Sequence, residues 1–174
     1  MSRSKEEDRE KNRRLCERYP FLIPRNRFSG MRITEAGNGG FWPGNPEAIP
    51  PYDYQYTELD DMPDGWRIAF GIQMLEELRE ELIRHDCLDK YMIVQIKEKY
   101  GFMHWYDSGN TEHGREIIEK YADMSKRICI DCGKPARFIS TGWIRPLCGE
   151  CAEMISGMVV HIDVWVDDME DDED

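Results

Sequence analysis

The chain is poor in the residues and patterns from which catalytic sites are usually built. Only four of its 174 residues are histidine, at positions 85, 104, 113 and 161, and none stands in an HxxxH or HExxH spacing. That excludes the helical zinc-hydrolase site, which needs two imidazoles one turn apart on one face. No Gly-x-Ser-x-Gly elbow occurs. The Gly37-Asn38-Gly39-Gly40 run lacks the lysine and following helix of a phosphate-cradling loop. The acids at Asp60-Asp61 and at Asp163, Asp167 and Asp168 show no spacing that would build a two-metal site, and they read as solvated turn and tail residues. His104, between Met103 and Trp105, reads as a strand residue with one face exposed. The expectation is a protein that is not an enzyme, the alternative being an enzyme with a dispersed site.

Long apolar runs are missing too. None approaches the roughly 18 residues of a membrane span, and the opening MSRSKEEDREKNRR lacks the apolar centre of a signal peptide. These absences lead us to expect a soluble, intracellular protein that does not associate with membranes. Basic residues are in deficit: the formal net charge is −12, and residues 167–174 alone hold seven acids. A broad phosphate-neutralising surface is therefore not expected, and the tail reads as a disordered, solubilising end.

Cysteine is present in an informative pattern. Four of the six cysteines form two pairs, Cys129-x2-Cys132 and Cys148-x2-Cys151, with fifteen residues between them. Each pair can turn on one tight knuckle so that both sulfurs reach one ion, and two knuckles complete a tetrahedron. Between them, residues 136–140 and 143–147 read as the strands of a hairpin turning at Thr141-Gly142, and Gly133 permits the left-handed backbone a knuckle needs. One structural Zn2+ is expected, with no open coordination position for water. Cys16 and Cys87 read as small apolar residues.

Along the chain, residues 1–19 form a charged segment with a helix over 3–18, and nothing in them settles whether that helix docks. Residues 20–65 hold seven prolines and many large rings, and read as an irregular segment that either wraps the core or offers a binding surface. An α+β core is expected over 66–128. Its main helix runs over 64–86, with Ile68, Ile72, Leu75, Leu78 and Leu82 at helical spacing. Strands follow at 91–97, where Met92, Val94 and Ile96 alternate, and at 102–106. A second helix at 112–127 turns Ile117, Ile118, Tyr121 and Met124 inward. The zinc ribbon spans 129–152, and 153–166 carries a final strand over 158–166, the candidate third strand of the sheet formed by 91–97 and 102–106. The fold class is thus α+β, a small antiparallel sheet covered by two main helices with an appended four-cysteine zinc ribbon.

Three stretches carry a resemblance: QIKEKYG at 95–101 with the following HWYDSGNT, the helix REIIEKYADMSKRIC, and CxxCGKPA with a later Gly-Trp and second CxxC. Over about residues 64–152 the chain resembles small, uncharacterised zinc-knuckle proteins of phages, prophages and gut bacteria. The resemblance implies a mobile-element protein in the cytoplasm of a bacterial host, and it brings no catalytic residues.

The function expected from all this is a zinc-stabilised protein-binding module that occupies a host protein with a basic surface, such as a nuclease of bacterial defence. Trp42, Tyr52, Tyr54 and Tyr56 are its candidate partner-binding residues. The alternative is a nucleic-acid-binding regulator that uses Lys134, Arg137, Trp143 and Arg145 of the ribbon. Oligomeric state is not legible in the residues.

Overall fold

The computed structural model describes residues 4–25, 52–155 and 157–162; Trp42 and the acidic tail lie outside them. Among the described residues the fold is α+β, as expected. No described helix is long and apolar enough to cross a membrane.

Helix α1 (Lys5–Arg18) starts at a capping box in which Ser4 and Glu7 satisfy each other's backbone N–H groups. The helix is docked, although it buries little more than Asn12 and Cys16. The Asn12 amide donates to Tyr54 O at 3.0 Å. Arg18 and the Tyr19 hydroxyl both donate to Glu76, at 2.5 and 2.6 Å. These bonds hold the Glu76 carboxyl below its usual range, the Arg18 bond foremost. Phe21, Leu22 and Ile23 then enter the core.

The central helical stretch runs through α2 (Asp64–Trp66), a π-helical turn (Arg67–Gly71) and α3 (Ile72–Arg84). Leu75, Leu78 and Leu82 are buried as expected, and the π turn corrects the expected face only at its start. Its wider winding brings Trp66, Phe70, Met74, Leu78 and Leu82 inward at intervals of four, and these are essentially fully buried. Ile68 and Ile72, expected inside, are instead 72% and 48% exposed.

Strands β1 (Met92–Lys99) and β2 (Phe102–Ser108) form an antiparallel hairpin. Its two turn residues, Tyr100 and Gly101, both have positive φ (56° and 83°), which matches strand twist in a two-residue turn. A bulge between Ile93 and Gln95 shifts the phase of β1, so Ile93 and Ile96 are buried where alternation from Met92 had been expected. Helix α4 (Glu112–Ser125) is capped by the Thr111 hydroxyl and packs on β2 and α3. It buries Ile117, Ile118, Tyr121 and Ser125. Met124 is 41% exposed, because Ser125 takes the inward position and its hydroxyl accepts the Met103 N–H at 2.8 Å.

The ribbon holds β3 (Phe138–Ser140) and β4 (Pro146–Leu147), followed by α5 (Gly149–Glu153) and β5 (Val159–His161). The final strand does not join the β1–β2 hairpin. It pairs antiparallel with β3, giving the order β4-β3-β5. Alternation can announce a strand, but the partner is chosen by where the chain has already been led.

Candidate metal centre

The four paired cysteines converge. Their Sγ atoms all lie within 4.8 Å of one another, and Cys132 and Cys148 are 3.5 Å apart. A tetrahedron with metal–sulfur bonds of about 2.3 Å has edges of about 3.8 Å, so the cluster is of the size one ion needs. None of the four is in a disulfide. Cys129 and Cys148 are buried, while Cys132 and Cys151 are half-buried.

Local backbone bonding builds each half. In the first knuckle the Gly133 N–H donates to Cys129 O (3.0 Å) and the Cys129 N–H to Lys134 O (2.8 Å). Gly133 turns the chain at φ 78°. Residues Ile128 and Pro135 bridge across its base. In the second half, Cys148 stands at the start of α5 and Cys151 one turn inside it, with the Ala152 N–H donating to Cys148 O at 2.9 Å. The Cys151 N–H beside Cys148 holds that thiol below its ordinary range, while burial pushes Cys151 up. Four thiolates this close would repel one another, and a bound cation would offset that repulsion. An ion held by all four has no position left for water or substrate.

The centre lies against the long helix. Its neighbours Ile130 and Leu147, with Cys129 and Cys148 themselves, share one buried cluster with Trp66 and Phe70. The Trp66 indole N–H donates to Ile128 O (3.1 Å) and the Gly65 N–H to Ile130 O (2.9 Å). Two glycines make this approach possible. A Cβ on Gly65 would stand 2.1 Å from Cys129 O, and one on Gly133 2.7 Å from Gly65 O. Sequence reasoning identified Gly133 but missed Gly65, since a glycine near a helix start carries no signal of what passes beside it.

The other candidate residues disperse. Tyr52 and Tyr54 are half-buried, pack on the core and meet edge to face at 5.1 Å. Tyr56 is 40% exposed. On the ribbon, Lys134 pairs with Glu150 (2.6 Å) and Arg145 with Asp131. Arg137 and Trp143 are exposed, Trp143 at 74%. Among the acids, Asp60 accepts the Thr57 N–H at 2.7 Å and Arg67 at 2.9 Å, which is a capping role. Among the described residues no second cluster of potential metal ligands forms.

Comparison of the chain with known family models, with curated proteins and with solved structures found no match to any of them.

Proposed function

We propose that this chain is a zinc-stabilised, non-enzymatic binding protein that docks on a partner protein. The observation that carries the reading is the closed cluster of four thiols. Zinc suits an all-thiolate tetrahedral site, and such a site supplies folding energy and not chemistry. The ion clasps the two knuckles of the ribbon to each other, and the ribbon so fixed packs on the long helix through the Gly65 and Trp66 bonds.

The partner class in this reading is a protein with a basic surface. It is supported by the net charge of −12 and by Tyr56, which stays exposed at the edge of the ring-rich segment. The resemblance over residues 64–152 extends the reading to a phage or mobile-element protein that occupies a host protein, such as a nuclease of bacterial defence. Capture of host proteins by the tagged, zinc-loaded chain tests it. One stoichiometric basic partner, released by salt and weakened by Tyr56→Ala, is the expected result. Capture of no protein overturns the docking role.

A nucleic-acid role centred on the ribbon is the lesser reading, because two of its four candidate side chains are engaged by acids. A mobility shift lost on Arg137→Ala with Arg145→Ala would reinstate it.

A further inference from the structure

The outer face of the β1–β2 hairpin differs in character from the rest of this acidic chain. Strand alternation turns Phe102, His104 and Tyr106 of β2 outward, while Met103 is buried. The register sets Lys99 opposite Phe102, Lys97 opposite His104 and Gln95 opposite Tyr106. The three rings form a ladder. Phe102 and His104 lie 4.3 Å apart, and His104 and Tyr106 are nearly parallel (14°) at 6.3 Å. That second spacing is close to the roughly 6.8 Å that two base-stacking steps of about 3.4 Å occupy.

Lysines border the ladder. The Lys97 ammonium sits 4.8 Å from the Tyr106 ring centre, Lys126 5.1 Å from Phe102, and Lys99 4.8 Å from Tyr100, a turn ring that is 60% exposed. Lys97 hydrogen-bonds Gln95 at 3.0 Å, and neither it nor Lys99 pairs with a carboxylate among the described residues. Lys126 reaches Asp123 at 3.0 Å, an exposed pair that a phosphate can replace. The hairpin's own acids are directed elsewhere: Glu98 accepts the Gly101 N–H and Asp107 the Tyr91 hydroxyl, both at 2.8 Å. His104 Nε2 is buried within the ladder and has no hydrogen-bond partner among the described residues. Stacked rings with interleaved cations and few competing acids fit a strand that offers flat bases and a phosphate backbone.

We propose that this face binds single-stranded nucleic acid, with bases stacking on Phe102, His104 and Tyr106 and phosphates held by Lys97, Lys99 and Lys126. The lysines call for an anionic occupant, and the ring ladder selects nucleic acid over an acidic peptide, which has no bases to place against the rings. The site is separate from the ribbon and goes beyond the docking role proposed above.

Fluorescence anisotropy on the zinc-loaded full chain tests it, using a labelled oligothymidylate of about twelve nucleotides, long enough for a small stacking site. Binding is expected at low salt, weaker for the matching duplex, with a log–log salt slope of about −2 for three neutralised phosphates. Tyr106→Ala is expected to weaken it about tenfold, the loss of one stacking platform. Lys97→Glu with Lys99→Glu should abolish it, whereas Arg137→Ala with Arg145→Ala on the ribbon should leave it unchanged. Should Tyr106→Ala unfold by circular dichroism, the lysine pair decides the question. No binding at low salt overturns the proposal. So does equal affinity for the duplex or for polyglutamate, or loss in the ribbon variant alone. Each of these results leaves the zinc content and the capture of a partner protein as they were.

Discussion

Replacing Gly65 by alanine tests the contact between the long helix and the first knuckle. On helix propensity alone the change should stabilise by about 1 kcal/mol, because glycine is a poor helix former. The structure reverses that sign. The new Cβ would stand 2.1 Å from the Cys129 carbonyl oxygen and 2.6 Å from the Ile130 carbonyl group, both backbone atoms with no rotamer to yield. The helix and the knuckle must part by about 1 Å, and overpacking of that kind costs roughly 1–3 kcal/mol. Parting also weakens the Gly65 N–H to Ile130 O bond and the Trp66 indole bond to Ile128 O, each contributing about 1 kcal/mol. The net expectation is a loss of about 2–3 kcal/mol, or a fall in melting temperature of about 5–10 °C for a chain of this size. Urea unfolding followed by tryptophan fluorescence, with zinc in excess, measures it. Gly142→Ala is the control: its φ is 90°, but nothing lies within 4 Å, so only the backbone strain of about 1 kcal/mol applies. A Gly65→Ala protein as stable as the parent, or more so, would refute the close-approach argument.

Other expectations follow from the same contacts. Burial pushes the Glu58 carboxyl up to about 7. Between its unfolded value, about 4.5, and 7 the native state holds more protons than the unfolded chain, so this group lowers stability as pH rises through that window. Glu58→Gln should remove that fall, on the order of 2 kcal/mol, and the difference in urea midpoint between the two proteins at pH 5 and pH 8 reads it. Tyr56→Ala, which gives up a partly exposed hydrogen bond to Asp61, should cost no more than about 1 kcal/mol, whereas Tyr52→Ala, which strips a core contact, should cost about 2 kcal/mol; equal effects would place Tyr56 in the core as well. Chelation should remove on the order of 10 kcal/mol of ribbon stability, and hydrogen exchange should then rise across 128–152 more than in α3.

The convergence of the four cysteines was the most legible feature because its information is local: two spacings and a glycine describe two knuckles whatever surrounds them. The elements of the core were legible for a similar reason, since periodicity is local too. What failed was phase. The π turn at 67–71 and the bulge between Ile93 and Gln95 each displace the inward face, and neither leaves a mark in hydrophobic spacing. Partner choice failed likewise, as β5 found β3 and not the hairpin. Ring-rich composition at 52–56 could not tell Tyr52, packed on the core, from Tyr56, left outside. The outward row of the hairpin did carry a signal, because Lys97 and Lys99 alternate with Ile96 and Glu98 just before Phe102, His104 and Tyr106. It reads as a cationic, aromatic face only once the register is known.

Elemental analysis of the purified chain measures directly whether Cys129, Cys132, Cys148 and Cys151 hold a single zinc ion. One zinc per chain is expected, reduced to near zero with loss of ribbon structure in Cys148→Ser. A folded chain purified with zinc in the buffer and carrying none, or a Cys148→Ser protein that keeps its full zinc, would contradict it.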